Sequence, residues 1–225
     1  MNTQLFKQTA QTMRTLSDRV CFRWRSTELC ITQISPNGRT LAHISLPANA
    51  PPSHISVDSE LFYRISKGIR KDDAISLKHD GSFLLVKVSS GTGTRTYELP
   101  AVDSHLVSKP DLDTIYAPPA TMDAIAFYRA ARELASTHPS VHISVDNNIL
   151  KMESPHDACP RLCVTLQPSE GRLQDTQTTI SSDQLQQIAR FSTLSRSVAV
   201  RTHKSAPLVL QFGPDCVFAL RDMHQ

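Results

Sequence analysis

A proline-rich connector in the middle of the sequence constrains the fold more than any other feature. It runs from Pro100 to Ala120, carries prolines at positions 100, 110, 118 and 119, and has neither helical nor alternating periodicity, which predicts an extended segment. The stretches on either side are of similar length. Each has the pattern of an amphipathic helix, short strands, a second helix and further strands. The chain is therefore predicted to be one structural unit used twice.

The composition is typical of a soluble globular protein. With 225 residues, 40% of them hydrophobic, the chain can bury one core or two smaller ones. No apolar run approaches the roughly 18 residues that span a bilayer. Residues 1–13 lack the apolar region of a signal peptide, so an intracellular protein without membrane contact is expected. The net charge of +3 is too small to identify a nucleic-acid binder by itself.

The cysteines favour no disulfide framework and no zinc site. Their number is odd, and no two of them form a CxxC pair. We expect them to be reduced thiols in the core. They are Cys21, Cys30, Cys159, Cys163 and Cys216.

Four short helices are predicted, two in each half. The first covers 5–16, and the second begins at a cap formed by Asp58 or Ser59, with Leu61 on its buried side. In the second half, Thr121 is expected to cap a helix over 122–135, and Ser181 or Ser182 a helix over 183–191. The first and second helix starts are similarly spaced in the two halves, which favours a repeat.

Strands and turns fill the segments between the predicted helices. Turn residues at 35–38, 79–82 and 146–148 indicate hairpins, and 162–167 has the pattern of a further strand. The segment 46–52 is predicted to be a proline-rich loop.

Every predicted helix carries basic side chains on its polar side, with few acids on the same stripes. If the sheets place these helices on one side, the stripes form a positive surface that could contact phosphates without reading base sequence. The alternative is that these side chains only solvate the outer helix faces. The residues are Lys7, Arg14, Arg64, Lys67, Arg129, Arg132 and Arg190.

The chain resembles sliding clamps of the PCNA type over nearly its whole length. The resemblance is carried by VDSELFYRISKGIRKDDAISLKHDGSFLLVKV, by MDAIAFYRAARELASTHPSVHISVDNNILKMES, and by SSDQLQQIARFSTLSRSVAVRTHKSAPLVLQF, where 207–212 matches the family's PLVVEY-like strand. It implies an α+β fold of two similar DNA-clamp domains, with antiparallel sheets outside and four short helices on the inner face. The implied domains are 1–102 and 120–225, joined by an interdomain connecting loop, 103–119.

The resemblance also implies a function. Three identical chains would close around duplex DNA as a processivity factor in replication and repair, without catalytic activity, cofactor or metal. The implied partners are double-stranded DNA of any sequence, a DNA polymerase and other client proteins with short peptide motifs, and a clamp loader. The implied location is the nucleus or a site of viral DNA replication.

The resemblance assigns roles to three sets of residues. The basic residues named above would face DNA. Subunits would pair by strand addition between 95–102 and 161–167, with contacts from Thr96, Tyr97, Leu99, Leu162, Val164 and Leu166. A client-peptide pocket would be lined by Ile34, Leu41, Leu106, Val107, Pro207 and Ala219.

Two features depart from the family pattern. Leu220 is followed by Arg221 and Asp222, where the family continues with Ala-Pro and an acidic tail. Lys109 stands where the family often has an apolar loop residue.

Two alternatives remain open. One is a subunit of a hetero-oligomeric checkpoint-type clamp or a monomeric viral processivity subunit, and the other is a two-domain adaptor that binds only proteins. An enzyme is not expected, because the sequence contains no GxxxxGK[ST], GxSxG, HExxH or GxGxxG motif. His138 and His142 are spaced as metal ligands on a helix would be, but Pro139 interrupts any helix there.

Overall fold

The computed structural model describes residues 2–103, 115–157 and 159–223. The chain forms two compact units, Met1–Gly38 with Ala42–Lys109, and Arg39–Leu41 with Pro110–Gln225. Residues 104–114 of the predicted connecting loop lie outside the described residues, and with them the predicted pocket residues Leu106 and Val107 and the family departure at Lys109. None of the helices in the described ranges has the length and apolarity needed to span a membrane.

The first unit follows the order helix, four strands, helix, three strands. Its strands neighbour one another in the order β5-β6-β7-β4-β1-β2-β3. The elements are α1 (Thr3–Leu16), β1 (Arg19–Arg25), β2 (Glu28–Ile34), β3 (Thr40–Pro47), β4 (Ser53–Asp58), α2 (Ser59–Lys67), β5 (Ala74–His79), β6 (Phe83–Ser90) and β7 (Gly93–Val102).

Helix capping and aromatic packing hold the two helices of this unit in place. The Asn2 side chain caps α1 and the Asp58 side chain caps α2, where its Oδ1 accepts from the Leu61 N–H at 2.8 Å. Each such cap contributes about 1 kcal/mol. Between the helices and the sheet, the ring of Phe62 packs 4.9 Å from Phe6 and 5.3 Å from Phe22, centroid to centroid. All three rings are fully buried, so they fix α1 and α2 side by side on β1.

The second unit begins with one short strand and then repeats the element order of the first. Its two antiparallel sheets have the orders β15-β14-β13-β8 and β11-β10-β9-β12. The elements are β8 (Ala120–Asp123), α3 (Ala124–Ala135), β9 (Ser140–Asp146), β10 (Ile149–Glu153), β11 (Cys163–Leu166), β12 (Thr176–Ser181), α4 (Ser182–Ala189), a 3-10 helix (Arg190–Leu194), β13 (Ser197–Arg201), β14 (Leu208–Phe212) and β15 (Cys216–Leu220).

The core of the second unit is also built on aromatic side chains. The ring of Phe191, in the 3-10 helix, packs with its centroid 4.8 Å from that of Phe218 on β15 and 6.3 Å from that of Phe212 on β14. Phe127 and Leu134 bury the inner face of α3. Aromatic pairs of this kind add about 0.5–1.5 kcal/mol each beyond the area that they bury.

The start of the third helix differs from the sequence prediction. Thr121 is not its cap, because Thr121 lies in β8 and pairs with Ala199 of β13. Asp123 is the cap instead, and its Oδ1 accepts from the Ala126 N–H at 2.6 Å. The predicted caps Asp58 and Ser181 are confirmed for the second and fourth helices. The fourth helix ends two residues earlier than predicted, at Ala189, where the chain tightens into the 3-10 turn.

Several predictions about burial and strands were wrong. Leu61 is 42% exposed, since it lies on the outer side of α2. Cys159 and Cys163 are exposed and therefore are not core thiols. Two strands, β4 and β12, were not predicted, and the loop expected over 46–52 is shortened by β3 at one end. The short strand β8 was also missed.

Candidate functional site

In the first unit, one carboxylate joins two of the arginines predicted to face DNA. Arg14 Nε on α1 lies 2.5 Å from Glu60 Oε2, and Arg64 Nε on α2 lies 3.1 Å from Glu60 Oε1. Because Glu60 and Arg64 are four residues apart on one helix, the second pair follows from helical geometry. The first pair connects the two helices and depends on the tertiary fold.

A tyrosine ring brings a third predicted residue into this group. The guanidinium carbon of Arg14 lies 4.5 Å from the centroid of the Tyr63 ring, and Lys67 Nζ lies 4.6 Å from the same centroid. The negative face of an aromatic ring attracts cations at such distances. Arg14, Arg64 and Lys67 therefore form one cluster around Glu60 and Tyr63, which we call the α1–α2 cationic cluster.

Lys7 does not belong to the α1–α2 cationic cluster. It is seven residues before Arg14 on α1, which places it about 10 Å away along the helix axis on the same side. Its side chain is half-buried. The structure thus brings together three of the four residues of this unit that were predicted to contact DNA.

In the second unit, two arginines on α3 are exposed. Arg129 and Arg132 line a shallow cavity of about 430 Å³ together with Glu133, Ser136 and Gln186, so this cavity lies between α3 and α4. Neither arginine makes an ion pair with any residue that the structure describes. Exposed, uncompensated guanidinium groups are suited to bind phosphate oxygens.

Arg190 has a different setting from Arg129 and Arg132. It is half-buried and occupies the C-terminal cap position of α4, where the 3-10 helix begins. A cation at a helix C-terminus interacts favourably with the helix dipole. The same holds for Arg14, Arg64, Lys67 and Arg132, which lie in the last turns of their helices. This stabilising role is compatible with the alternative that the basic residues only solvate the outer helix faces and do not contact DNA.

The two strands that the sequence analysis assigned to subunit contacts leave backbone groups open for strand addition. β7 pairs with β6 along its length, but with β4 only through Ala101 and Val102. β11 pairs with β10 and forms the end of the four-stranded sheet. Among the described residues, these strands therefore present the edges that the sequence analysis assigned to subunit contacts.

The side chains on these edges are not equivalent. Thr96 is exposed and Tyr97 is half-buried, whereas Leu99 is only 2% exposed. Only the backbone of Leu99 is therefore accessible to a partner strand. Val164 and Leu166 are half-buried on β11. Leu162 lies outside the strand, because its backbone N–H donates to Ser154 Oγ at 2.9 Å.

Three of the predicted client-pocket residues surround one tyrosine in the second unit. Tyr116 packs with Val209, Val217 and Ala219, and Leu41 lies against this group. The Tyr116 hydroxyl donates to the carbonyl oxygen of Pro207 at 2.7 Å. We call Tyr116, Leu41, Ala206, Val209, Val217 and Ala219 the Tyr116 cluster.

Solved structures share this fold. A chain of the PCNA2–PCNA3 complex from Sulfolobus tokodaii matches with a TM-score of 0.84, covering 100% of this chain and 98% of that chain. The chain has the PCNA fold. PCNA from Entamoeba histolytica matches over 97% of this chain and 95% of its own, and PCNA from Thermococcus kodakaraensis over 98% and 97%, both with a TM-score of 0.78. The sequence identity is 18% in each case.

The predicted α+β clamp fold is thereby confirmed. No family model matches the sequence, and no curated protein matches it. The likeness at 18% identity is one of fold, so the roles of individual residues in this PCNA fold stay predictions.

Sequence reasoning missed Tyr116, the central residue of its cluster in this PCNA fold. Burial raises the pKa of its phenol above the ordinary value, although Arg221 and Arg201 act in the opposite direction. The phenol is therefore neutral at physiological pH and can donate its hydrogen bond. The signal was present in the sequence, since Tyr116 is the aromatic residue of an otherwise aliphatic and polar connector. Of the other predicted pocket residues, Ile34 belongs to the first unit and is 37% exposed.

Proposed function

We propose that this chain is a subunit of a sliding clamp, which encircles duplex DNA and tethers a DNA polymerase and other client proteins without catalysing a reaction. The observation that carries the proposal is the match to the PCNA fold over the full length of the chain. A closed ring stays on DNA by topology, so each phosphate contact can be weak and independent of sequence. Weak contacts of this kind permit sliding.

The proposed DNA surface consists of the basic side chains of the helices. In the first unit these are Lys7 and the α1–α2 cationic cluster, and in the second unit Arg129, Arg132 and Arg190. The exposed positions of Arg129 and Arg132 and their lack of ion-pair partners among the described residues support this role. Contacts of this type position DNA and carry no base information.

The proposed ring forms when β7 of one subunit pairs with β11 of the next. Backbone donors and acceptors on both edges support this mode of assembly. The first candidate is the homotrimer that the sequence resemblance implies. A hetero-oligomeric clamp is the second candidate, since the structure from Sulfolobus tokodaii is a complex of two different chains, PCNA2 and PCNA3.

The proposed clients bind at the Tyr116 cluster through short peptides with apolar and aromatic anchors. The cluster contains Tyr116 of the connector together with Leu41 and Ala219, which the sequence resemblance assigned to this pocket. We further propose a clamp loader as a partner, roles in replication and repair, and action in the nucleus or at a site of viral DNA replication.

The decisive experiment compares retention on closed and open DNA. The purified chain is placed with a clamp loader and ATP on a nicked circular plasmid, and retention is measured by gel filtration before and after linearisation. A ring should stay on the circle and slide off the linear form. Sedimentation velocity on the same sample gives the number of subunits.

The alternatives predict other outcomes. A monomer at every concentration, with equal retention on circular and linear DNA, would contradict the ring and favour a monomeric processivity subunit. Absence of any DNA binding or stimulation of polymerase processivity, with client proteins still bound, would favour the protein-only adaptor. Rings that form only after a second type of chain is added would indicate the hetero-oligomeric clamp.

A further inference from the structure

A positively charged cavity lies beside the Tyr116 cluster in the second unit. Its volume is about 590 Å³, and its lining includes Ala117, Arg172, Asp175, His203 and Lys204. We call it the basic cavity. Asp175 is the one acidic residue among the described residues that line it.

The two permanent cations of the basic cavity are not neutralised by any ion pair that the structure describes. Arg172 and Lys204 are both exposed, and neither has a carboxylate of a described residue within ion-pair distance. This differs from the α1–α2 cationic cluster, where Glu60 is shared by two arginines. Charges of one sign in a concave surface reinforce one another and attract ligands of the opposite sign.

The backbone on both sides of Arg172 is held in position. On one side, the Thr121 N–H donates to the carbonyl of Glu170 at 2.8 Å. On the other, the Gln174 N–H donates to Thr202 Oγ1 at 2.8 Å, and the Thr202 hydroxyl donates back to the Gln174 carbonyl at 2.6 Å. A wall that is already ordered gives up little conformational entropy when it binds a ligand.

Gly171 allows this wall to lie against the end of the connector. Its φ is +78°, and a Cβ at this position would lie 2.5 Å from the carbonyl oxygen of Pro119. A larger residue would be strained there and would push the two backbones apart. The segment that carries Arg172 therefore lies close to Pro119 and Ala120, at the end of the connector.

The basic cavity adjoins the Tyr116 cluster, in which Leu41 and Ala206 are partly exposed and the other members are buried. The ring of His203, which lines the cavity, stands edge-on to the ring of Tyr116 with centroids 6.3 Å apart. Arg201 donates to the carbonyl of Ala117 at 3.3 Å, so a further cation lies at the same junction. A peptide anchored at the Tyr116 cluster would thus have its neighbouring residues within reach of the cations.

We propose that the basic cavity binds carboxylate side chains that flank the apolar anchors of client peptides, so that the protein selects clients with acidic flanks. The inference rests on the proposed function, since it takes the Tyr116 cluster to be the client site. Charge complementarity identifies an acidic occupant, because the cations Arg172 and Lys204 outnumber the one acid, Asp175, among the described lining residues. The adjoining apolar side chains of Leu41 and Ala206, which are partly exposed, favour a protein ligand over DNA, whose outer surface is made of charged phosphates.

The test uses three fluorescein-labelled peptides that differ only in their flanks. Each contains one helical turn with one aliphatic and two aromatic anchors, flanked on both sides by three Glu, three Gln or three Lys. Binding is measured by fluorescence anisotropy at low and high salt. We expect the Glu peptide to bind about three- to tenfold more tightly than the Gln peptide, the size that two or three exposed ion pairs allow. The Lys peptide should bind most weakly, and added salt should reduce the differences.

Variants locate the effect. The double variant Arg172→Gln/Lys204→Gln should bind the Gln peptide as the wild type does and show no preference for Glu. The matched control Lys78→Gln/Lys87→Gln removes two exposed cations from the first unit and should retain the preference. A circular dichroism spectrum and a melting curve verify that each variant is folded.

The outcomes separate this inference from the proposed function. If the peptides bind with equal affinity, or if the Lys peptide binds best, the inference is wrong and client binding stands. If the control variant shows no preference either, the selection comes from overall charge and the basic cavity has no special role. If none of the peptides binds, the proposed client site itself is contradicted. If a single-stranded oligonucleotide displaces the labelled Glu peptide as well as unlabelled Glu peptide does, the basic cavity is a nucleic-acid site instead.

Discussion

Arg14 Nε and Glu60 Oε2 lie 2.5 Å apart and connect the two helices of the first unit. The same carboxylate accepts from Arg64, so a single negative charge partly offsets two of the cations proposed to contact DNA. The Arg14 and Glu60 side chains are 45% and 38% exposed. A pair this accessible contributes at most about 1 kcal/mol to stability, and its larger effect is on the local charge.

Glu60→Gln should therefore strengthen DNA binding with little change in stability. The substitution removes one negative charge beside Arg14 and Arg64, so we expect affinity for duplex DNA to rise a few-fold at low salt and the gain to shrink at high salt. Filter binding or anisotropy over a salt series measures the change. Glu170→Gln, in the loop before β12, is the matched control, because it also removes one negative charge. Unchanged affinity in Glu60→Gln would show that Arg14 and Arg64 do not contact DNA.

Arg129→Gln/Arg132→Gln should weaken DNA binding in a way that depends on salt. For every phosphate that the variant no longer binds, the negative slope of the logarithm of affinity against the logarithm of salt concentration should become shallower by about 0.9. Because both side chains are exposed, the melting temperature should change little. Lys78→Gln/Lys87→Gln serves as a control of equal charge. An equal slope for the two double variants would mean that net charge, rather than α3, determines binding.

Two substitutions at Tyr116 should separate its hydroxyl from its ring. Tyr116→Phe removes the hydrogen bond to the Pro207 carbonyl and should lower the free energy of unfolding by about 1 kcal/mol. Tyr116→Ala also opens a cavity among Val209 and Val217 and should cost about 3–5 kcal/mol. Urea denaturation measures both, with Tyr128→Phe on α3 as the control. A similar loss of unfolding free energy in Tyr116→Phe and Tyr116→Ala would contradict the packing role assigned to the ring.

The thiols should react in two classes. Cys159 and Cys163 are exposed and should be alkylated by iodoacetamide at pH 8 in the folded protein. Cys216 is buried, and burial together with the nearby Asp215 carboxylate raises its pKa to about 12, so it should react only after unfolding. Peptide mapping by mass spectrometry identifies the modified positions. Rapid labelling of Cys216 in the folded protein would be inconsistent with the described core.

Glu153 should make stability depend on pH in the acidic range. A hydrogen bond from Lys151 and another from Arg161 hold its pKa below the ordinary value of 4.5, in spite of partial burial. A carboxylate with a lowered folded-state pKa contributes stability that is fully present above its unfolded-state pKa and is lost as the pH falls through the folded-state value. Glu153→Gln should thus be less stable than wild type at neutral pH and equally stable at the lowest pH. Urea midpoints measured from neutral to strongly acidic pH test this, and a constant difference would contradict it.

Local chemistry in the sequence predicted the turns and most of the helices. Asn147 and Asn148 adopt positive φ angles of 51° and 65°, in the hairpin that their residue types indicated. The strand β4 was missed because SHISVD is short and half polar. It forms because β1 supplies a partner, with Val57 opposite Val20. Such pairing is a tertiary effect that no local pattern contains.

The candidate site was predictable to a similar extent. Helical spacing identified Arg14 and Arg64, but it could not show that Glu60 binds both, since one of these contacts crosses between helices. Thr121 and Asp123 are both good capping residues, and only the pairing of β8 with β13 decides between them. The basic cavity combines residues from three distant segments, around 117, 172 and 203, and so leaves no signature along the chain.

The open edges of β7 and β11 have a consequence for the size of any assembly built on them. The two strands differ in sequence and belong to different units, so a contact between them is head-to-tail and leaves one unused edge at each end of a growing oligomer. Closure then depends on the angle between successive copies, and an angle that does not divide a full turn produces an open filament. A substitution that bends either unit could convert a ring-forming protein into a polymer without touching a single interface residue.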